Sequence, residues 1–67
     1  MKIIAEGNDE TIVRTSFLRE TEKAILVTDV DENEVWLPLS QIEVLEVGQG
    51  QCEISVPNWL IEAKELL

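Results

Sequence analysis

Histidine and tyrosine are missing from this chain, and cysteine occurs once, as Cys52. A single thiol excludes an internal disulfide, and the usual zinc sites need several Cys or His ligands. No metal or cofactor is therefore expected. Basic residues are scarce, five against fourteen acidic ones, for a net charge of −9. That deficit argues against direct nucleic-acid binding, because such affinity rests on neutralising phosphates. No stretch approaches the roughly 20 apolar residues of a membrane span. The first ten residues, "MKIIAEGNDE", hold no apolar run long enough for a signal peptide. A soluble, cytoplasmic protein with no membrane partner is expected, and one lone cysteine fits a reducing compartment.

What is present is a chain of 67 residues, 45% of them apolar, enough for one core and one domain spanning residues 1–67. A domain of this size removes only about 60% of its unfolded surface from water, so its stability margin is thin. With disulfides and zinc excluded, close packing or self-association must hold it together.

Breaks fall at "EGNDE" (6–10), "RETEK" (19–23), "DVDENE" (29–34), "GQGQ" (48–51) and "VPN" (56–58). Their spacing suggests short strands joined by tight loops. "KII" begins a short first strand. "TIVRTSFL" (11–18) follows, with Val13 and Phe17 on one side and Ile12 and Leu18 on the other. "KAILVTDV" and "EVWLPLSQI" read as a hairpin closed by pairing Val30 with Val35. In that register Ala24, Leu26, Val30, Val35, Leu37 and Leu39 share one face, and Ile25, Val27, Trp36 and Pro38 share the other. A second hairpin, "IEVLEV" into "CEISV", pairs Val47 with Cys52 and turns through two glycines. It groups Leu45, Val47, Cys52, Ile54 and Val56, and sets Glu46 nearly opposite Glu53, a mildly unfavourable pair of like charges. The tail "VPNWLIEAKELL" changes period and predicts a short helix started by Pro57 or Asn58. Its apolar stripe is Trp59, Ala63 and Leu66, with Leu60 and Leu67 beside it.

The expected fold is mainly β: a small antiparallel sheet or open barrel, SH3-like or OB-like, of four to five strands with one C-terminal helix. The helix either plugs one end or covers the Ile25/Val27 face. Trp59 is expected in the core, with Trp36 lying beneath the helix against it.

Candidate chemistry is sparse. Asp29, Asp31 and Asn33 alternate like the start of a calcium loop. Glu34 occupies the place of the required glycine, and Ser40 that of the closing acid, so a solvated hairpin turn is expected instead. Cys52 lies between Gln51 and Glu53 with no histidine to activate it, which points to a structural thiol. Arg14, Arg19 and Lys23 lie close in sequence and are expected to offset neighbouring carboxylates. With no phosphate loop, no serine elbow and little room for a cleft, no enzyme is expected.

In "EVWLPLSQI", Trp36, Pro38 and Ser40 fall at alternate positions. A proline within a strand implies an edge or a bulge, so this stretch is also a candidate partner surface, with Asp29, Asp31, Glu32 and Glu34 as its acidic flank. "RETEKAILV", "EVWLPLSQIEV" and "VPNWLIEAKELL", covering roughly residues 19–67, resemble a group of small, largely uncharacterised bacterial and phage-borne proteins with W-x-P-x-S and V-P-x-W-L motifs. The resemblance implies a compact module and brings no catalytic residues with it.

Three functional classes are expected in descending order. The first is a non-enzymatic protein-interaction or accessory module, binding a basic protein partner or forming a homodimer by edge pairing. The second is an acidic nucleic-acid mimic that inhibits a DNA-handling or defence enzyme of a phage or mobile element. The third is an OB-like single-strand binder that stacks bases on Trp36, which the charge disfavours.

Overall fold

The computed structural model describes residues 1–67. Six antiparallel strands form one open, strongly bent sheet, followed by a short helix. The strands are β1 (Lys2–Glu6), β2 (Glu10–Glu20), β3 (Ala24–Thr28), β4 (Glu34–Pro38), β5 (Glu43–Gly48) and β6 (Gln51–Pro57). A 3₁₀ turn (Leu39–Gln41) links β4 to β5, and α1 spans Asn58–Lys64. The order along the sheet is β4-β3-β2-β6-β5, with β1 also on β2.

The long strand β2 organises the molecule. Its first part, Glu10–Ser16, pairs with β6, and the same stretch pairs with β1 along its other edge. Its last part, Phe17–Glu20, pairs with β3. The register slips between Phe17 and Arg19. One extra residue there bends and twists a strand, which lets β2 serve two halves of the sheet. Inward side chains from both halves meet in one core: Val13, Cys52, Ile54 and Val56 from one, Ile25, Val27 and Leu37 from the other. Thr15 also points inward, and its hydroxyl donates to the Thr28 carbonyl, so a buried polar group is satisfied by a tie between the halves.

The second hairpin keeps the expected register, with Val47 opposite Cys52 and Glu46 opposite Glu53. Gln49 and Gly50 both take positive φ at its tip, 52° and 76°. This is the twist that two-residue hairpin turns require, and glycine meets it without steric cost. Leu45 departs from the expected face. It is the extra residue between Val44 and Glu46, and it is exposed.

The first hairpin does not keep its expected register. Val27 faces Val35, Leu26 faces Trp36 and Ile25 faces Leu37. The pairing is shifted by an odd number of residues from the Val30–Val35 closure, and an odd shift turns every side chain of one strand over relative to the other. Ile25, Val27 and Leu37 are therefore core, while Leu26, Trp36, Ala24 and Pro38 lie on the outer face. Val30 is exposed in the loop. The cause is Asp29. Its carboxylate accepts from the amides of Asp31 and Asn33, both at 2.9 Å, and its own amide donates to the Asn33 carbonyl. These bonds close the loop at residue 29, so the strands end sooner than the β-branched run suggests.

The helix also corrects its expected stripe. Leu60 and Leu66 are buried in the core and Ile61 packs against it, while Trp59 is 56% exposed and Ala63 and Leu67 face outward. Leu66 reaches the core after the helix has ended. Glu65 adopts φ 53°, and the Leu66 amide returns to the Ile61 carbonyl in a left-handed cap. Pro57 holds the N-cap position, with no side-chain cap. Asn58 acts as a staple instead. Its amide group donates to the Gly7 and Asn8 carbonyls, and its oxygen accepts from the Thr11 hydroxyl at 2.8 Å. The helix thus lies over the inner side of the sheet, tied to the β1–β2 loop.

Candidate protein-binding surface

Strand β4 ends the sheet, which is where a proline is tolerated. Register places Trp36 beside Leu26, and Leu26 beside Arg19, in one outward row across three strands. Pro38 lies opposite Ala24 in the next outward pair. Trp36 is 41% exposed, and Leu26, Ala24 and Pro38 are half-buried. The helix covers the opposite face of this sheet, so Trp36 does not lie beneath it, and the expected pairing of the two tryptophans inside the core does not form. The outcome is a shallow apolar platform centred on Trp36, with Arg19 on one side and Glu34 on the other.

Ser40 does not share that face. The strand stops at Pro38, and the Leu39 amide turns to the Lys23 carbonyl at 2.8 Å. Ser40 sits exposed in the 3₁₀ turn that carries the chain towards β5. The acidic flank divides in two. Asp31, Glu32 and Glu34 are exposed. Asp29 is only 9% exposed and its carboxylate is engaged by the loop amides, so it shapes the loop rather than facing a partner.

On the other half of the sheet, the Glu46–Glu53 repulsion has a local remedy. Arg14 on β2 binds Glu53 at 2.7 Å through Nη2 and at 3.1 Å through Nε. The three charges form a row Arg14–Glu53–Glu46 across β2, β6 and β5. Arg14 thus offsets a carboxylate, as expected. Cys52 is buried at the start of β6, and desolvation pushes its thiol pKa above the ordinary value. A raised pKa keeps the thiol protonated and unreactive at neutral pH.

Sequence reasoning missed Leu26 as part of the platform, because the expected register placed it with Leu37 on the face opposite Trp36 and Pro38. It also missed the exposed apolar residues of β5, Val44 and Val47. No family model, curated protein or solved structure matches this chain. No helix is long and apolar enough to cross a membrane.

Proposed function

We propose that this chain is a small, non-enzymatic protein-interaction module that engages a partner through the Trp36 platform. The observation that carries this reading is the half-exposed tryptophan held on an edge strand beside Pro38 and Leu26. Tryptophan supplies a large contact area at low entropic cost and is enriched where binding energy concentrates. Asp31, Glu32 and Glu34 lie next to the platform and favour a basic partner, chiefly by accelerating encounter.

A second reading, mimicry of nucleic acid, draws on the same loop, where Asp29 holds the backbone that displays three exposed carboxylates. One comparison separates the two. Wild type, Trp36→Ala and the triple variant Asp31→Asn/Glu32→Gln/Glu34→Gln are immobilised, and the proteins each retains from bacterial lysate are compared. The module reading expects loss of a retained protein with Trp36→Ala and only slower capture with the triple variant. Mimicry expects the reverse. Retention unchanged by Trp36→Ala would overturn the platform. Acrylamide quenching of a Trp59→Phe chain checks the premise, with ready quenching expected for an accessible Trp36.

A further inference from the structure

Strand β5 carries a second surface, on the other edge of the sheet. All six of its residues are exposed. Register gives their directions. Val44 pairs with Ile54 and Val47 with Cys52, so both valines project towards the core side. They are nevertheless 41% and 52% exposed, because the core cluster stops at β6 and takes in no residue of β5. Glu43 and Glu46 project outward, opposite Ser55 and Glu53. Every backbone hydrogen bond of β5 runs to β6, which leaves its other edge unpaired. Natural edges are blunted by proline, charged side chains, β-bulges or brevity. β5 has neither proline nor lysine over its six residues, and its only guards are Glu43, Glu46 and the bulge at Leu45.

We propose that β5 accepts an extended segment of a protein partner as an additional strand, and that this segment alternates basic and apolar side chains. Main-chain hydrogen bonds to the open edge would hold it, as in strand-addition complexes. Its apolar side chains would extend the inner face over Val44 and Val47. Its basic side chains would meet Glu43 and Glu46, of which Glu46 already faces a second carboxylate, Glu53. Charge selects this occupant over a second copy of the chain. Two β5 edges paired together would bring Glu43 and Glu46 of both copies alongside one another, on chains that each carry −9. Charge also selects β5 over β1, the other fully exposed strand, whose terminal residues are Lys2 and Glu6. This surface stands on observations separate from the Trp36 platform, and either can fail alone.

The test uses the full chain, isotopically labelled, titrated with three synthetic heptapeptides. One alternates Lys or Arg with Val, one alternates Glu with Val, and the third is the basic peptide N-methylated at alternate backbone amides. The basic peptide is expected to shift the amide resonances of residues 43–48 and slow their hydrogen exchange, with the acidic and methylated peptides inactive. The double substitution Glu43→Lys/Glu46→Lys is expected to weaken the basic peptide about tenfold or more and admit the acidic one, since each charged contact is modest but two are reversed. Equal binding of the methylated peptide would overturn strand addition. Shifts confined to β1 or to the Trp36 indole would overturn the location. A doubled solution mass of the free chain, with β5 amides protected at the dimer contact, would assign the edge to a second copy instead and overturn the proposed occupant.

Discussion

Strands β4 and β5 are the two ends of the same sheet, joined by a single 3₁₀ turn, yet they are built differently. The inward side chains of β4 are covered: Leu37 is fully buried and Val35 half-buried. Its outward side holds the Trp36 platform, and Pro38 closes the strand. The inward side chains of β5 stay about half exposed, and its open edge is guarded only by Glu43, Glu46 and the bulge at Leu45. Both strands carry apolar residues on their inward side, so an apolar inward face alone does not decide burial. What decides it is whether a second layer reaches the strand. Leu37 and Val35 of β4 join the core cluster, and no residue of β5 does.

The sharpest break of that comparison is a matched pair of truncations. Leu37→Ala empties a fully buried site and is expected to cost about 2–5 kcal/mol, enough to unfold much of so small a domain. Val47→Ala on the uncovered strand is expected to stay within about 0.5 kcal/mol. Urea denaturation reads both, and similar losses would mean that β5 is packed after all.

The loop before β4 comes next. Asp29→Ala removes the acceptor for two backbone amides and is expected to cost about 1–3 kcal/mol. Amide exchange at Asp31 and Asn33 should rise with it. If stability and exchange are both unchanged, the loop is closed by something other than this carboxylate.

A pH-gated effect probes the boundary between core and β5. The Cys52 thiol has a folded pKa raised by burial. The folded state therefore holds this proton more tightly than the unfolded chain. Its contribution is full below the ordinary thiol pKa of about 8.5 and is lost as pH rises through the folded value. The unfolding midpoint should fall on the alkaline side in wild type and fall less in Cys52→Ala. Identical alkaline profiles would show that the valines of β5 leave the thiol wet.

The smallest effect belongs to the charge row beside β5. Arg14→Ala removes an exposed ion pair and should cost at most about 1 kcal/mol, shrinking with added salt. Adding Glu46→Gln should recover part of that loss, and a double-mutant cycle with no coupling would separate Arg14 from the acidic row.

The two hairpins show how far the residues alone could be read. The second was legible because its turn is chemically marked by Gln49–Gly50 and its return strand alternates Cys52, Ile54 and Val56 with polar partners. The first was not, because "AILV" and "VWLPL" are apolar in both phases, so either face could be the core. The candidate site suffered with it. Trp36 and Pro38 sit together as expected, but Leu26 was placed on the opposite face and Ser40 was kept on a strand that Pro38 ends. Asp29 reads as one more surface acid, since nothing local distinguishes it from Asp31 or Glu32.

Composition and pattern by themselves determined a small β-rich fold with a C-terminal helix, a buried unpaired cysteine and a strongly acidic charge balance. These follow from residue counts and local period, which act over a few neighbours. Only the tertiary structure decided which phase of β3 and β4 faces inward, that Trp59 stays outside while Leu66 is buried, and that β5 is left uncovered. Each depends on groups far apart in sequence: the slip at Leu18 that bends β2, the Asn58 staple onto residues 7, 8 and 11, and the return of the chain to the core after the left-handed cap at Glu65. Burial is settled by which elements reach one another in space, and no local window of the chain contains that distance.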